Sequence, residues 1–94
     1  VLYSPLHGVG AGAILPALAA DGFSQVEVYG PHAAPDGDFP NVPGNVANPE
    51  NAAAFAAPIE FAKGAGHELI AATDPDCDRL GAACPRSRKA DGEW

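Results

Sequence analysis

The stretch Leu69-Ile70-Ala71-Ala72-Thr73-Asp74-Pro75-Asp76-Cys77-Asp78-Arg79 decides the fold. Its first half is a short apolar run that follows Gly66 and is typical of a buried strand. Its second half places an aspartate at every second position and closes on an arginine. Alternate side chains of an extended chain lie on the same side, so a modest curl at Pro75 would bring the three carboxylates together. The sequence therefore predicts a strand that leads directly into an acidic loop.

The acidic loop is a candidate metal site. Carboxylates held close together repel one another unless a cation or protons relieve the repulsion. Their oxygens are hard ligands, which favours Mg²⁺ or a similar ion over Zn²⁺. We therefore take Asp74, Asp76 and Asp78 as candidate metal ligands, with chemistry on a phosphate as the expected use. Solvated acids in a polar turn are the alternative, because acidic turns are common.

Two other families of acidic loop can be compared with this one. A calcium EF-hand requires glycine where Arg79 stands and glutamate where Pro85 stands, so the pattern excludes it. A phosphatase with an aspartate nucleophile also places Asp-x-Asp after a buried strand, and Asp74 or Asp76 would then attack the phosphoryl group. The small or hydroxyl residues that usually follow the second aspartate are absent here. This alternative stays open.

Composition limits the class of protein. The 94 residues suffice for one small domain, and 47% of them are hydrophobic. The formal charge of -7 argues against a nucleic-acid surface. No apolar run approaches the roughly 20 residues of a membrane span, and no signal peptide is visible, so we expect no membrane contact. The two cysteines suggest reduced thiols in a cytoplasmic protein. The chain starts at Val1 and has no methionine, so we expect a piece of a longer polypeptide.

The first half of the chain predicts a strand, a helix and a second strand. Residues 1–6 form the first strand, and the glycine-rich residues 7–12 turn into a helix. Apolar residues at helical spacing give that helix one face, namely Ile14, Leu15, Leu18 and Ala19. Pro16 is placed in the first turn, where proline is tolerated. Residues 25–29 alternate and form the second strand, after which residues 30–46 form a long loop of functional or docking character.

The second half predicts a helix and two or three further strands. Asn48-Pro49-Glu50 is a good helix start with Asn48 as N-cap. Pro58 lies inside the following apolar stripe and should kink the helix, and Gly64 and Gly66 should end it. Residues 69–73 and 80–84 form the third and fourth strands, and residues 90–92 are a hairpin turn into a strand at Trp94. The basic residues Arg86, Arg88 and Lys89 belong to a solvated turn.

This order of elements predicts the fold class. Strand-helix-strand-helix-strand-strand implies right-handed crossovers and a mainly parallel sheet whose last strand runs antiparallel. We therefore expect an α/β domain, a three-layer αβα unit with a small mixed, mainly parallel four-stranded sheet.

The run Gly8-x-Gly10-x-x-Ala13 has a second interpretation. It resembles a dinucleotide-binding fingerprint, with Glu27 near the position of a ribose contact. Ser4-Pro5-Leu6-His7, directly before the glycines, is a poor end for a first strand, and Glu27 lies inside the second strand rather than at its end, which argues against nucleotide binding. The glycines also suit a close-packed turn whose amides face an anion at the start of a helix. His7 in this turn is expected to be structural.

Four motifs together indicate a family. They are Tyr3-Ser4-Pro5-Leu6-His7-Gly8-Val9-Gly10, Pro35-Asp36-Gly37-Asp38-Phe39-Pro40-Asn41-Val42, Asn48-Pro49-Glu50 and Ala72-Thr73-Asp74-Pro75-Asp76-Cys77-Asp78-Arg79-Leu80. In this order they closely resemble the second domain of the α-D-phosphohexomutases, the phosphoglucomutase and phosphomannomutase family. The resemblance spans essentially all of residues 1–94.

The resemblance implies a function. Members of that family have four domains around a cleft, and a phosphoserine exchanges phosphate with a hexose phosphate through a hexose bisphosphate. Carried over by motif, Asp74, Asp76 and Asp78 would ligate Mg²⁺, and Arg79 would face the phosphoryl group or its serine carrier. The partners would be the sugar phosphates and the other domains of the same chain. Cys77 stands where the family usually has alanine or glycine, in a slot that does not ligate metal.

The same resemblance implies what the chain lacks. The serine loop, the sugar-recognition loop and the terminal phosphate-binding loop have no counterpart here, and Ser4, Ser24 and Ser87 do not lie in the family's serine motif. We therefore expect the isolated domain to be inactive as a mutase and to bind Mg²⁺ weakly. A non-catalytic interaction module, with residues 30–46 as its contact surface, is the other alternative.

Overall fold

A computed structural model describes residues 1–87 and 93–94 of the chain. The hairpin turn predicted at residues 90–92 lies outside the described residues, as do Arg88 and Lys89 of the basic turn.

The centre of the molecule is a four-stranded sheet. Its strands are β1 (Leu2–Ser4), β2 (Glu27–Val28), β3 (Ile70–Thr73) and β4 (Leu80–Ala83), each shorter than the sequence predicts. Their order is β2-β1-β3-β4. β1 is parallel to β2 and to β3, whereas β4 is antiparallel to β3. The predicted mixed, mainly parallel sheet is therefore confirmed.

Two α-helices complete the three layers. They are α1 (Ala11–Ala20) and α2 (Ala56–Ala65), and short 3₁₀ turns cover Gly30–His32, Pro43–Asn45 and Ala52–Phe55. α2 packs on β1 and β3. The core on that face consists of buried side chains from the strands, the loop and the helix: Leu2, Leu6, Tyr29, Val42, Ala54, Phe55, Ala62, Ile70 and Ala72. Full burial of each larger side chain contributes about 1.5–3 kcal/mol.

The opposite face of the sheet carries a polar pair. Tyr3 follows Leu2 in β1 and therefore points away from the core on the α2 side. Its hydroxyl lies 2.6 Å from the hydroxyl of Thr73 in β3, and both side chains are buried. α1 begins on this face, because Gly10, which immediately precedes it, lies against the two hydroxyls.

The structure corrects the prediction for α1. The helix begins at Ala11, where the carbonyl of Gly10 accepts hydrogen bonds from Ala13 and Ile14. Pro16 therefore lies inside the helix, and its placement in the first turn was wrong. None of the helix residues is fully buried, and Ala19 of the predicted stripe is exposed. α1 therefore contributes no fully buried side chain, whereas α2 contributes Pro58 and Ala62.

The second helix also differs from its prediction. The helical segment starts after Asn51, whose side chain accepts a hydrogen bond from the amide of Ala53 at 3.0 Å, so Asn48 is not the N-cap. A 3₁₀ turn precedes α2, and Pro58 falls in the first turn of α2, where its missing N–H is not needed. The predicted single helix kinked at Pro58 is thus replaced by two segments that meet at Phe55 and Ala56. Gly66 ends α2 in a left-handed conformation (φ 82°), as predicted, whereas Gly64 lies inside the helix.

Two buried histidines anchor the long loop to the sheet. The ring of His32 accepts a hydrogen bond from the hydroxyl of Ser4 at Nδ1 (2.8 Å) and donates from Nε2 to the carbonyl of Asn41 (3.0 Å). These protons are assigned from the partners, since a carbonyl oxygen only accepts. His7 donates from Nδ1 to the carbonyl of Ala34 at 2.8 Å. His7 is therefore structural, as predicted, and the loop docks on its own domain.

None of the helices in the described part of the chain is both long enough and apolar enough to cross a membrane.

Candidate metal centre

The acidic loop is a closed turn between β3 and β4. The amide of Asp74 donates to the carbonyl of Arg79 at 3.2 Å, and the amide of Cys77 donates to the carbonyl of Asp74 at 2.9 Å. Cys77 has a left-handed backbone (φ 60°), which lets the chain reverse within the loop. As a result the structure brings together Asp74, Asp76 and Asp78, each offering one carboxylate oxygen within 4.8 Å of the others.

Asp74 is the buried member of the trio. One of its oxygens accepts hydrogen bonds from the amides of Asp78 (2.9 Å) and Arg79 (3.0 Å), and the other accepts from Nε of Arg79 at 2.8 Å. Burial by itself would raise the pKa of Asp74, but the bonds from Arg79 and Asp78 outweigh it and hold this pKa well below its usual range. Asp74 is therefore an ionised carboxylate fixed in place by the loop itself.

Asp76 and Asp78 are the exposed members. Hydrogen bonding to Asp74 and then to Asp76, together with burial and the charges of both, raises the pKa of Asp78 to about 6. A raised pKa is what mutual repulsion between carboxylates produces when no cation offsets it. Asp76 is exposed in the same loop. The cluster is thus negatively charged at neutral pH and has affinity for a proton or a cation.

Arg79 closes the loop and contacts three residues. Its Nε lies 2.8 Å from Asp74 and 3.8 Å from Asp78, and its Nη1 donates to the side-chain oxygen of Asn48 at 3.2 Å. The hydrogen bond to Asp74 raises the pKa of Arg79, so the guanidinium is cationic. The side chain is 44% exposed, which leaves part of the guanidinium open to solvent.

The residues fit a divalent cation. Mg²⁺ binds oxygen ligands at about 2.0–2.1 Å in octahedral geometry, so ligand oxygens around one ion lie no more than about 4 Å apart. The observed spread of up to 4.8 Å needs only a small contraction to match this. A carboxylate oxygen has more than one lone pair, so Asp74 can bind an ion and keep its bond to Arg79. One doubly charged ion together with Arg79 would neutralise the three carboxylates.

The glycine-rich turn before α1 packs against the acidic loop and supports it. The amide of Val9 donates to the carbonyl of Pro75 at 2.9 Å. A side chain on Gly8 would overlap the backbone of Pro75, and one on Gly10 would overlap the hydroxyls of Tyr3 and Thr73. Both glycines are therefore required by close packing rather than by a nucleotide. Glu27, the candidate ribose contact, instead lies 2.8 Å from the ring of His67.

The comparison with known proteins agrees with this architecture. Residues 1–88 match the family model described as phosphoglucomutase/phosphomannomutase, alpha/beta/alpha domain II. The chain belongs to this family. It is 41% identical over 93 residues to a probable phosphomannomutase of Haemophilus influenzae, which covers 99% of the chain and 18% of that protein. It is 38% identical over 81 residues to a phosphoglucomutase of Staphylococcus epidermidis, covering 86% of the chain and 14% of that protein. No solved structure matches it significantly.

The match concerns one part of longer relatives. The chain spans less than a fifth of the length of either mutase. The matched region, residues 1–88, contains the sheet, both helices and the whole acidic loop. The chain is therefore related to one α/β/α domain of the phosphoglucomutase/phosphomannomutase family.

Within this family domain, the four sequence motifs form one connected unit. The first motif supports the acidic loop through Val9 and Pro75, and His7 and His32 bind residues 34–41 to the first motif. The third motif joins the loop through Asn48 and Arg79. Sequence analysis identified the three aspartates and Arg79 as candidate site residues, but it interpreted Asn48 as a helix cap. Its spacing from Arg79 carries no signal that would have revealed their contact.

Proposed function

We propose that this chain is the metal-holding domain of a phosphosugar mutase. The complete protein would move a phosphoryl group between positions 1 and 6 of a hexose by way of a phosphoserine and a bisphosphate intermediate. The ligands would be Asp74, Asp76 and Asp78, the ion Mg²⁺, and Arg79 the contact to the phosphoryl group or its serine carrier. This domain would act together with other domains of the same polypeptide.

One observation carries the proposal. Three carboxylate oxygens lie within 4.8 Å of one another beside a partly exposed guanidinium, on a loop fixed at both ends. Negative ligands for a cation next to a planar donor for phosphate are the two parts that phosphoryl transfer requires. Family membership and the names of the two relatives give the reaction class.

Each residue has a distinct task in this proposal. Asp74 fixes the geometry, because the loop's own amides hold it in one orientation. Asp76 and Asp78 are exposed and complete the ligand set from the solvent side. Arg79 donates hydrogen bonds to phosphate oxygens and offsets the remaining negative charge. A bound Mg²⁺ would supply charge stabilisation to the phosphoserine oxygen during transfer.

The alternative with an aspartate nucleophile is less well supported. Both oxygens of Asp74 already accept hydrogen bonds, and its side chain is only 3% exposed, so in-line attack on a phosphorus atom is blocked. Asp76 is exposed, so it is the residue at which an aspartate nucleophile can be tested. Ser4 is no phosphate carrier in this fold, because its hydroxyl is buried against His32.

The experiment uses the full-length protein. Conversion of glucose 1-phosphate and mannose 1-phosphate to their 6-phosphates is measured before and after EDTA, and again with Mg²⁺ restored. We expect activity that EDTA abolishes and Mg²⁺ restores, and loss of it in Asp76→Asn. The matched control Asp21→Asn also removes one exposed carboxylate, at the far end of α1, and should stay active.

Four outcomes would contradict the proposal. Activity in EDTA equal to that with Mg²⁺ would remove the metal from the mechanism. A beryllium fluoride adduct on Asp76 would support the aspartate nucleophile. Turnover of glucose 1-phosphate by residues 1–94 alone would show that the domain needs no partner. The fourth outcome is a protein that lacks mutase activity, has the same melting temperature with and without Mg²⁺, and binds another protein tightly. It would favour an interaction module.

A further inference from the structure

Asn48 is neither a candidate metal ligand nor a candidate phosphate contact, but its side chain bonds Arg79. Its side-chain oxygen accepts hydrogen bonds from Nη1 of Arg79 at 3.2 Å and from the amide of Glu50 at 2.9 Å. We propose that Asn48 is a positioning residue that orients the Arg79 guanidinium toward the transferred phosphoryl group. This inference rests on the proposed function, because it assigns Arg79 to that group.

Asn48 is itself held firmly. Its carbonyl accepts a hydrogen bond from the amide of Asn51 at 3.0 Å, which closes a turn. The next residue, Pro49, is buried, and its carbonyl packs so closely on Gly81 of β4 that any side chain there would overlap it. The ring of Phe55 also lies against Gly81. Asn48 is therefore anchored to the strand that follows the acidic loop.

Arg79 needs a second anchor. Its bond from Nε to Asp74 fixes one point of the guanidinium, but a long side chain that is 44% exposed can still tilt around that point. A second bond at Nη1 fixes the plane of the group. The guanidinium carries more N–H donors than these two bonds use, so donors are left for phosphate oxygens. Orientation matters because a small misplacement of a group in phosphoryl transfer lowers the rate strongly.

Asn51 provides a matched control. Like Asn48 it is an asparagine whose side-chain oxygen accepts an amide hydrogen bond two residues along the chain, here from Ala53 at 3.0 Å. Among the described residues its side chain makes no hydrogen bond to Arg79. Truncation of either residue removes a turn contact, but only truncation of Asn48 removes a contact to the guanidinium.

The kinetic test uses the full-length enzyme. Asn48→Ala should lower kcat about tenfold, the expected loss for one hydrogen bond to a charged group, and leave the affinity for Mn²⁺, measured by EPR, within about twofold of wild type. Asn51→Ala should keep wild-type kcat. In an Arg79→Lys background, Asn48→Ala should lower kcat by less than about twofold more, because the shared contact is already lost.

A spectroscopic test is independent of activity. The Arg79 Nε–H resonance, assigned by its absence in Arg79→Lys, should shift or broaden in Asn48→Ala and stay in place in Asn51→Ala. Unchanged kcat in Asn48→Ala, equal effects of the two asparagine variants, or full additivity with Arg79→Lys would overturn the inference. An inactive wild-type protein would overturn the proposed function instead, and an unmoved Nε–H resonance would then also refute the contact.

Discussion

The amide of Val9 donates a hydrogen bond to the carbonyl of Pro75 at 2.9 Å, and this bond joins the turn before α1 to the acidic loop. The two segments lie at opposite ends of the sequence but follow β1 and β3, which are parallel neighbours. The carboxyl ends of neighbouring parallel strands meet at the same edge of a sheet. The glycine turn therefore supports the backbone of the loop that carries the candidate metal ligands.

Gly8→Ala tests whether the acidic loop depends on its close contact with the glycine turn. The new methyl group would overlap the backbone of Pro75, so the acidic loop must shift. We expect the free energy of unfolding to fall by about 1–3 kcal/mol, as for other overpacked sites. Mg²⁺ affinity should fall with it. Urea unfolding and a Mg²⁺ titration measure the two effects.

Gly12→Ala is the control for that change. A side chain on Gly12 would meet no atom within 4 Å, and the residue lies inside α1. Alanine should therefore stabilise the helix by about 0.5–1 kcal/mol without changing Mg²⁺ affinity. Equal behaviour of the two variants would show that the loop does not depend on the contact between Gly8 and Pro75.

Asp76→Asn and Asp74→Asn should separate metal binding from loop structure. Asp76 is exposed, so its change should weaken Mg²⁺ binding by at least about tenfold and leave the melting temperature near wild type. In Asp74→Asn the amide nitrogen would face either Nε of Arg79 or the backbone amides of Asp78 and Arg79, so both affinity and melting temperature should fall. NMR titration of residues 1–94 with Mg²⁺ is the measurement. Absence of any shift at residues 74–79 in wild type would refute the ligand assignment for the isolated domain.

Tyr3→Phe tests the buried hydroxyl pair. Burial raises the pKa of Tyr3 despite the opposing effect of its hydrogen bond with Thr73, so the phenol is protonated and the pair shares a neutral hydrogen bond. Its loss leaves the Thr73 hydroxyl buried without this partner and should cost about 1–2 kcal/mol in urea unfolding. The double variant with Thr73→Val should recover part of that loss, because both partners are then apolar. A double variant as unstable as the sum of the single changes would argue against the pair.

His32 should make stability depend on pH. Burial lowers its pKa, the hydrogen bond to Asn41 opposes this in part, and the charge of His7 lowers it further. Because the folded protein then binds a proton less readily than the unfolded chain, the free energy of unfolding should fall as the pH drops below about 6.5. The neutral ring is required, since Nδ1 accepts from Ser4 while Nε2 donates to Asn41.

His32→Gln checks this dependence. Glutamine does not titrate, so urea unfolding between about pH 7 and 5 should show a shallower decline than in wild type, whatever the variant's stability at pH 7. Parallel curves for the two proteins would assign the acid sensitivity to other groups.

Local patterns in the sequence were sufficient for much of the fold. The apolar run 69–73 predicted β3 because burial of such a run needs no knowledge of its partners. The alternating aspartates predicted convergence from strand geometry, but the structure reaches it through a closed turn that reverses at Cys77. Gly66 predicted the end of α2 because few other residues adopt a left-handed conformation easily. The start of the same helix was missed, since Asn48 and Asn51 are equally good caps by themselves. In the structure Asn51 caps the helical segment, and the side chain of Asn48 instead bonds the amide of Glu50.

By itself the sequence determined the order of strands and helices and the acidic cluster, because these depend on residues that are close together in the chain. The mixed sheet and the family followed from the order of the elements and of the four motifs along the chain. Only the tertiary structure decided which distant groups support the cluster: Val9 under Pro75, Asn48 beside Arg79, and the two histidines that bind the long loop. These contacts depend on the meeting of strand ends at one edge of the sheet, and spacing along the chain does not encode the distance between groups that separate strands bring together.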